Sequence, residues 1–226
     1  MSPTRLVVFD LDGTLVDSAR DLATAVNQAL AKVAPERPPL PLEVVKAFVG
    51  EGAGVLMSRV LREARVDLPP EAVLPVFLEC YEGCLLDTTR LYPGVTFALD
   101  ALADRTLAVL TNKPGKPSRA ILEGLGVARY FARIWGPDDA GARKPDPAGL
   151  RRLVAELGFA AAETALVGDS GVDVTTGRKA GVRTIAVTYG LNPATLRDQA
   201  PDVTLDDLRR LPAVLGSHGP GSSVLP

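Results

Sequence analysis

The chain has 226 residues, 46% of them hydrophobic and 23% charged, with a formal net charge of −2 and a pI of about 5.5. That is enough apolar material for one large core, or a core with a smaller companion, and it argues against wholesale disorder. The weakly acidic balance leaves no electrostatic footprint for nucleic acid or an anionic membrane, and no apolar run approaches the roughly 20 residues of a spanning helix.

The first element raises a question at once. The stretch RLVVFDLDGTLVDS, Arg5 to Ser18, climbs an apolar run and ends in two carboxylates, Asp10 and Asp12, two residues apart. That run is too short for a secretion signal, so a cytoplasmic protein is expected. Like charges at the end of a buried strand repel and lose hydration, so a cation is expected beside them, most simply a metal ion. From Asp17 to Thr88 the pattern turns helical. SARDLATAVNQALAKV, PLEVVKAFVG, GVLMSRVLREARV and PEAVLPVFLECYEGCLL show helical periodicity without clear strands. Ser18 is suited to cap the first of these, and Pro70 to start the last. Cys80 and Cys84, the only cysteines, lie one turn apart in that last segment. They are expected as small, unbonded, buried residues, since a reducing compartment disfavours a disulfide.

Short β-branched and aliphatic runs return further on: TLAVLTN (106–112), the weaker ARIWG (132–136), TALVGDS (164–170) and TIAVTYG (184–190). They alternate with the helix-like segments 118–131, 147–159 and 172–181. Continuous rather than alternating hydrophobicity fits strands covered on both faces, as in a parallel sheet. The expectation is an α/β fold, a doubly wound Rossmann-like parallel-sheet core with an inserted all-helical cap domain. The core takes residues 1–16 and 89–212, the cap 17–88, with hinges near 16–18 and 87–94. Residues 213–226, rich in Gly, Ser and Pro and holding the only histidine, His218, are expected to be a disordered tail.

In open α/β sheets, ligands bind beyond the carboxyl ends of the strands. Those ends carry Asp10 and Asp12, Thr111 and Asn112, and Asp169 and Asp173, while Lys144 sits in the loop GARKPDP. Carboxylates without a usable histidine suit a hard, oxygen-preferring cation, and Mg²⁺ is the natural candidate. With a lysine and a hydroxyl nearby, such a cation makes a receptor for a phosphoryl group, so a small phosphorylated metabolite is the expected partner. A carboxylate held there can attack phosphorus. A second acid two residues on can protonate the leaving oxygen and later deprotonate water.

The segments DLDGTLVDS, TN, the lysine before PDP, and GDSGVD resemble, in order, the four motifs of the haloacid dehalogenase-like hydrolase superfamily, over residues 5 to about 212. The resemblance implies that Asp10 is the nucleophile and Asp12 the general acid/base, with the Asp12 backbone carbonyl a metal ligand. Asp169 is then a side-chain ligand, and Asp173 a further ligand or its support. Thr111 and the backbone of Asn112 hold the phosphate, Lys144 neutralises nucleophile and phosphate, and Thr14 supports the turn. Dehalogenases of the superfamily lack the acid at position 12, so its presence implies phosphoryl transfer. The helical insertion resembles the family's mobile cap. Its run FVGEGAGVLMSRVL, with Gly50, Gly52 and Gly54 at a helix start, is similar to the corresponding loop of phosphoglycolate phosphatases, as is LTNKP.

That branch implies 2-phosphoglycolate as substrate, with Arg59 a candidate partner for its carboxylate. Lys113, Lys116 and Arg143 are expected to border the site and steer anions without touching them. Alternatives are a β-phosphoglucomutase-type isomerase, a pyrophosphatase or broad small-phosphate hydrolase, and a non-catalytic phosphate-binding protein. Monomer and homodimer fit equally. One departure from the family pattern is VTTGRKAG, which places Thr176 and Gly177 where alanine is usual. A helix-interior glycine costs about 1 kcal/mol relative to alanine.

Overall fold

The computed structural model describes residues 3–216. The strand β1 (Leu6–Phe9) is buried along its whole length, and its alternate side chains serve opposite faces. Val7 and Phe9 enter one apolar core, Leu6 and Val8 another, which is why its hydrophobicity is continuous. The chain then leaves through β2 (Val16–Asp17) into four helices, α1 (Ala19–Val33), α2 (Leu42–Phe48), α3 (Ala53–Glu63) and α4 (Pro70–Glu82). It returns through β3 (Arg90–Leu91), which pairs antiparallel with β2.

The helices close on a third core, in which Val26, Leu30, Met57, Val60 and Phe77 are buried. Cys80 and Cys84 lie in it as free thiols. The crossing between the two parts is clamped by Asp21, in the first turn of α1. Its buried carboxylate accepts from the backbone N–H and hydroxyl of both Thr88 and Thr89, at 2.6–3.0 Å.

The rest of the chain completes the sheet: α5 (Val95–Ala101), β4 (Thr106–Leu110), α6 (Gly115–Gly124), β5 (Phe131–Trp135), α7 (Pro137–Ala140), α8 (Ala148–Glu156), β6 (Thr164–Gly168), α9 (Gly171–Ala180), β7 (Arg183–Val187), β8 (Val203–Leu205) and α10 (Leu211–Leu215). The six long-sheet strands run parallel in the order β5-β4-β1-β6-β7-β8. This is the expected doubly wound sheet, and β1 sits at its centre, where the winding direction reverses. That reversal opens a crevice at the strands' carboxyl ends.

Several elements differ from expectation. The helix expected over 118–131 starts at Gly115 and ends at Gly124, and a single 3₁₀ turn, Ala128–Tyr130, feeds β5. The short elements β2, β3, α5, α7, β8 and α10 had no distinct pattern, being held by tertiary contacts more than by their own periodicity. Residues 213–215, expected in the tail, lie in α10, where Leu215 is buried against the core. His218 and the rest of the tail lie outside the described residues. Gly177 proves to be a contact requirement: a Cβ there would lie 2.5 Å from Thr184 Cγ2, blocking α9 from the sheet. No helix among the described residues is long and apolar enough to cross a membrane.

Candidate active site

Asp10 follows β1 directly. Its backbone N–H donates to Val167 O on β6, so the residue is fixed to the sheet edge. Asp10 Oδ1 accepts from Leu11 N–H at 2.7 Å and pairs with Lys144 Nζ at 2.9 Å. Lys144 Nζ also reaches Asp173 Oδ1 at 2.6 Å, and the second oxygen of Asp173 accepts from the N–H and hydroxyl of Ser170. Asp169, at the end of β6, is held by the Leu191 and Asn192 N–H groups, both on its Oδ2 at 2.7 and 3.2 Å.

One oxygen each from Asp10, Asp169 and Asp173 lies within 4.8 Å of the others, and all three residues are buried. Burial above all, then mutual repulsion, lifts the Asp169 carboxyl to about 8. Burial lifts Asp10 to about 6 against the pull of Lys144. Burial would by itself depress Lys144, but the two carboxylates outweigh it and hold the ammonium above its ordinary range. An all-oxygen donor set that repels itself this strongly fits a hard cation.

The loop after β1 makes this crowding possible. Gly13 has φ +86°, and a Cβ on it would lie 2.2 Å from Asp169 Oδ2; on the far side, a Cβ at Gly190 would lie 2.4 Å from the same oxygen. Backbone therefore closes on Asp169 from two directions, as only glycine permits. Thr14 sits beneath this turn, its carbonyl accepting from the Tyr189 hydroxyl at 2.9 Å.

Asn112, after β4, bridges three segments. Its Oδ1 accepts from Lys144 N–H at 2.8 Å, and its Nδ2 donates to Lys144 O at 2.9 Å and to Gly50 O at 3.0 Å. The Thr111 hydroxyl accepts from Lys113 N–H at 3.2 Å. The Asp12 carboxylate turns away from the other acids. Ser18 Oγ donates to it at 2.5 Å, and Lys113 Nζ binds both of its oxygens, at 3.0 and 2.7 Å.

Lys113 is the residue that sequence reasoning undervalued. Expected only to border the site, it is buried, paired with Asp12, and seated 4.6 Å over the ring of Tyr81 on α4. Its place immediately after the strand-end pair Thr111–Asn112 was the available signal; nothing in the sequence marked Tyr81.

A cavity of about 50 Å³ lies between the sheet edge and the helical cap, with Lys144, Asp169 and Asp173 behind its lining. Asp10, Asp12, Thr111, Asn112 and Lys113 form its polar wall, facing Gly50, Gly52, Ala53, Leu56, Phe77 and Tyr81. Gly50 and Gly52 have φ of +120° and +95°, so their positions do require glycine. Gly54 is not among the lining residues, and neither is Arg59. The Arg59 guanidinium is engaged with Glu51 and with Phe48 O, so it braces the glycine loop from outside. Lys116 pairs with Glu82 at the surface, and exposed Arg143 lies against Gly52.

A buried carboxylate paired with a lysine, a second acid and a cation-ready acid cluster at one sheet edge are the features of a metal-dependent hydrolase of the phosphatase type. The chain belongs to the haloacid dehalogenase-like hydrolases, whose family model matches residues 7–187. A phosphoglycolate phosphatase of Rhodospirillum rubrum is 40% identical over 98% of this chain and 95% of its own. One of Haemophilus influenzae is 36% identical over 93% and 98%. The crystal structure of a predicted phosphoglycolate phosphatase from Haemophilus somnus superposes with a TM-score of 0.88 at 32% identity, over 96% of this chain and all of that one.

Proposed function

We propose that the protein hydrolyses 2-phosphoglycolate to glycolate and phosphate, in the cytoplasm, with Mg²⁺ as cofactor. The cation would be held by Asp10, Asp169 and the Asp12 backbone carbonyl, where it offsets the carboxylates' repulsion and the charge of the phosphoryl group. Both Asp173 oxygens are already engaged by Lys144 and Ser170, so its part is to hold the lysine.

Asp10 Oδ1 is fixed by Leu11 N–H and Lys144, so its other oxygen is the one presented for attack. That oxygen bonds to phosphorus as the ester P–O bond breaks, and Asp12 delivers a proton to the departing alkoxide. Asp12 then takes a proton from the water that attacks the aspartyl-phosphate, releasing phosphate and restoring Asp10. The Thr111 hydroxyl and Lys144 bind the phosphoryl oxygens throughout.

The observation that carries the substrate reading is the roof of the cavity. That roof is the glycine loop that leads into α3, a helix with no side-chain cap, whose first N–H groups suit an anion. The relatives named phosphoglycolate phosphatase support the same reading.

Phosphate release would be measured with Mg²⁺ and with EDTA across 2-phosphoglycolate, glucose 6-phosphate, pyrophosphate and an aryl phosphate. The expected result is Mg²⁺-dependent release with 2-phosphoglycolate leading by about 10²-fold in kcat/KM, the discrimination a polar receptor supplies. A flat panel would end the substrate reading and leave a broad phosphatase. Sugar phosphate isomerised without phosphate release would make the enzyme a mutase.

A further inference from the structure

Among the described residues that line the cavity, Lys113 is the only cation, and it stands beside the acid Asp12. Its Nζ binds the two Asp12 oxygens and lies over the Tyr81 ring. Tyr81 is 3% exposed, lines the same cavity, and its hydroxyl has no hydrogen-bond partner. A buried hydroxyl left unpaired is costly, and this one belongs to a side chain that both lines the cavity and packs against Lys113. Burial pushes this phenol up to about 12, so it keeps its proton at neutral pH.

We propose that Lys113 and Tyr81 together form the receptor for the substrate's carboxylate, the group that distinguishes phosphoglycolate from a plain alkyl phosphate. This rests on the 2-phosphoglycolate reading and deepens it. Lys113 comes from the core and Tyr81 from the cap, so the receptor exists only when the two meet. Recognition of the carboxylate and closure over the phosphoester are then one event. Lys113 is placed for this because it stands next to Asp12. In a two-carbon substrate the carboxylate lies one methylene from the leaving oxygen, and that oxygen is the atom Asp12 must reach. The same reasoning assigns no such contact to Arg59, which lies outside the cavity.

The test compares kcat/KM for 2-phosphoglycolate with kcat/KM for ethyl phosphate, which lacks the carboxylate, in wild type, Lys113→Met and Tyr81→Phe. The expected wild-type ratio is about 10² or more, falling about 10-fold in Tyr81→Phe and nearly to one in Lys113→Met. Should both variants slow the two substrates equally, Lys113 serves Asp12 alone and the receptor is overturned. A wild-type ratio near one would instead overturn the phosphoglycolate reading, and the receptor with it. Tyr81→Phe keeps the ring that packs against Lys113 and Phe77 and removes only the hydroxyl, so it should still fold. It decides the matter even if Lys113→Met fails to fold.

Discussion

The core and the cap face the same cavity but are held by different physics. On the core side, charged groups hold one another. Lys144 is fixed between Asp10 and Asp173, Asp173 by Ser170, and Asp169 by two backbone N–H groups and the close approach of Gly13 and Gly190. The cap side is mainly apolar, with Leu22, Leu56, Phe77 and Leu78 in the wall. It reaches the polar edge through few groups, chiefly the Gly50 carbonyl, the Val49 carbonyl bound by Asn192 at 2.6 Å, and Tyr81 beside Lys113. The residues proposed to make and break bonds thus sit on one densely cross-linked sheet edge. The surfaces proposed to choose the substrate are joined to that edge by few polar contacts.

The contrast is broken most severely at Asp10. Asp10→Asn keeps the shape of the side chain and removes the proposed nucleophile, so turnover should fall by about 10⁴-fold or more with every substrate alike. A cap-side change such as Tyr81→Phe should narrow the margin between substrates and leave turnover of the plain phosphoester nearly unchanged. If steady-state assays of Asp10→Asn showed more than a few per cent of wild-type activity, the division of labour would be wrong at its root.

Gly13→Ala tests whether the core edge is as unyielding as its packing implies. The new Cβ would collide with Asp169 and occupy a backbone conformation that disfavours a side chain. The expected loss is about 10²-fold in kcat/KM, because Asp169 must shift, together with a Tm lowered by about 3–6 °C. Gly158→Ala is the control. It shares the positive φ, +77°, but nothing lies within 4 Å of the added carbon, so stability should fall without loss of turnover. Equal activity losses in the two variants would show that the crowding around Asp169 is not what matters.

The same contrast explains what the sequence disclosed. The strand-end acids were legible because a carboxylate after a buried apolar run is costly, and so marks itself; Asp10, Asp12 and Asp169 all stand out in this way. The sheet was legible from β1, β4, β6 and β7, whose residues are apolar on both faces. The cap's helices were legible from their period, but their choice of ligand was not. Tyr81 sits in α4 on an apolar stripe with Phe77, whose ring it stacks against at 5.8 Å, and its pattern is that of any core aromatic. Arg59 suggested itself as an anion partner by charge alone, yet the fold turns it to Glu51. The clamp of Asp21 on Thr88 and Thr89 joins residues 67 and 68 apart, beyond any local pattern.

The smallest expected effect concerns the core's unbalanced charge, and its sign follows from linkage. Without a cation, Asp169 and Asp10 keep protons in the folded protein up to about pH 8 and 6, while in the unfolded chain both ionise near pH 4. Their contribution to stability is therefore fully present below about pH 4 and is lost as pH rises through 6 and then 8. Asp21 and Asp202 titrate below the ordinary carboxylate range, Asp21 because hydrogen bonds from Thr88 and Thr89 overcome its burial, Asp202 chiefly through a backbone bond from Thr184. They change nothing above pH 5. Mg²⁺ competes with the protons for the same carboxylates, so it should restore most at high pH. At saturating Mg²⁺ the Tm should rise by about 5–10 °C at pH 8.5 and by less than half that at pH 5.5. Thermal unfolding with Mg²⁺ and with EDTA at the two pH values measures this directly. A Tm gain independent of pH would mean that the ion binds elsewhere than among Asp10, Asp169 and their neighbours. The core edge would then lack the charge imbalance that sets it apart from the cap.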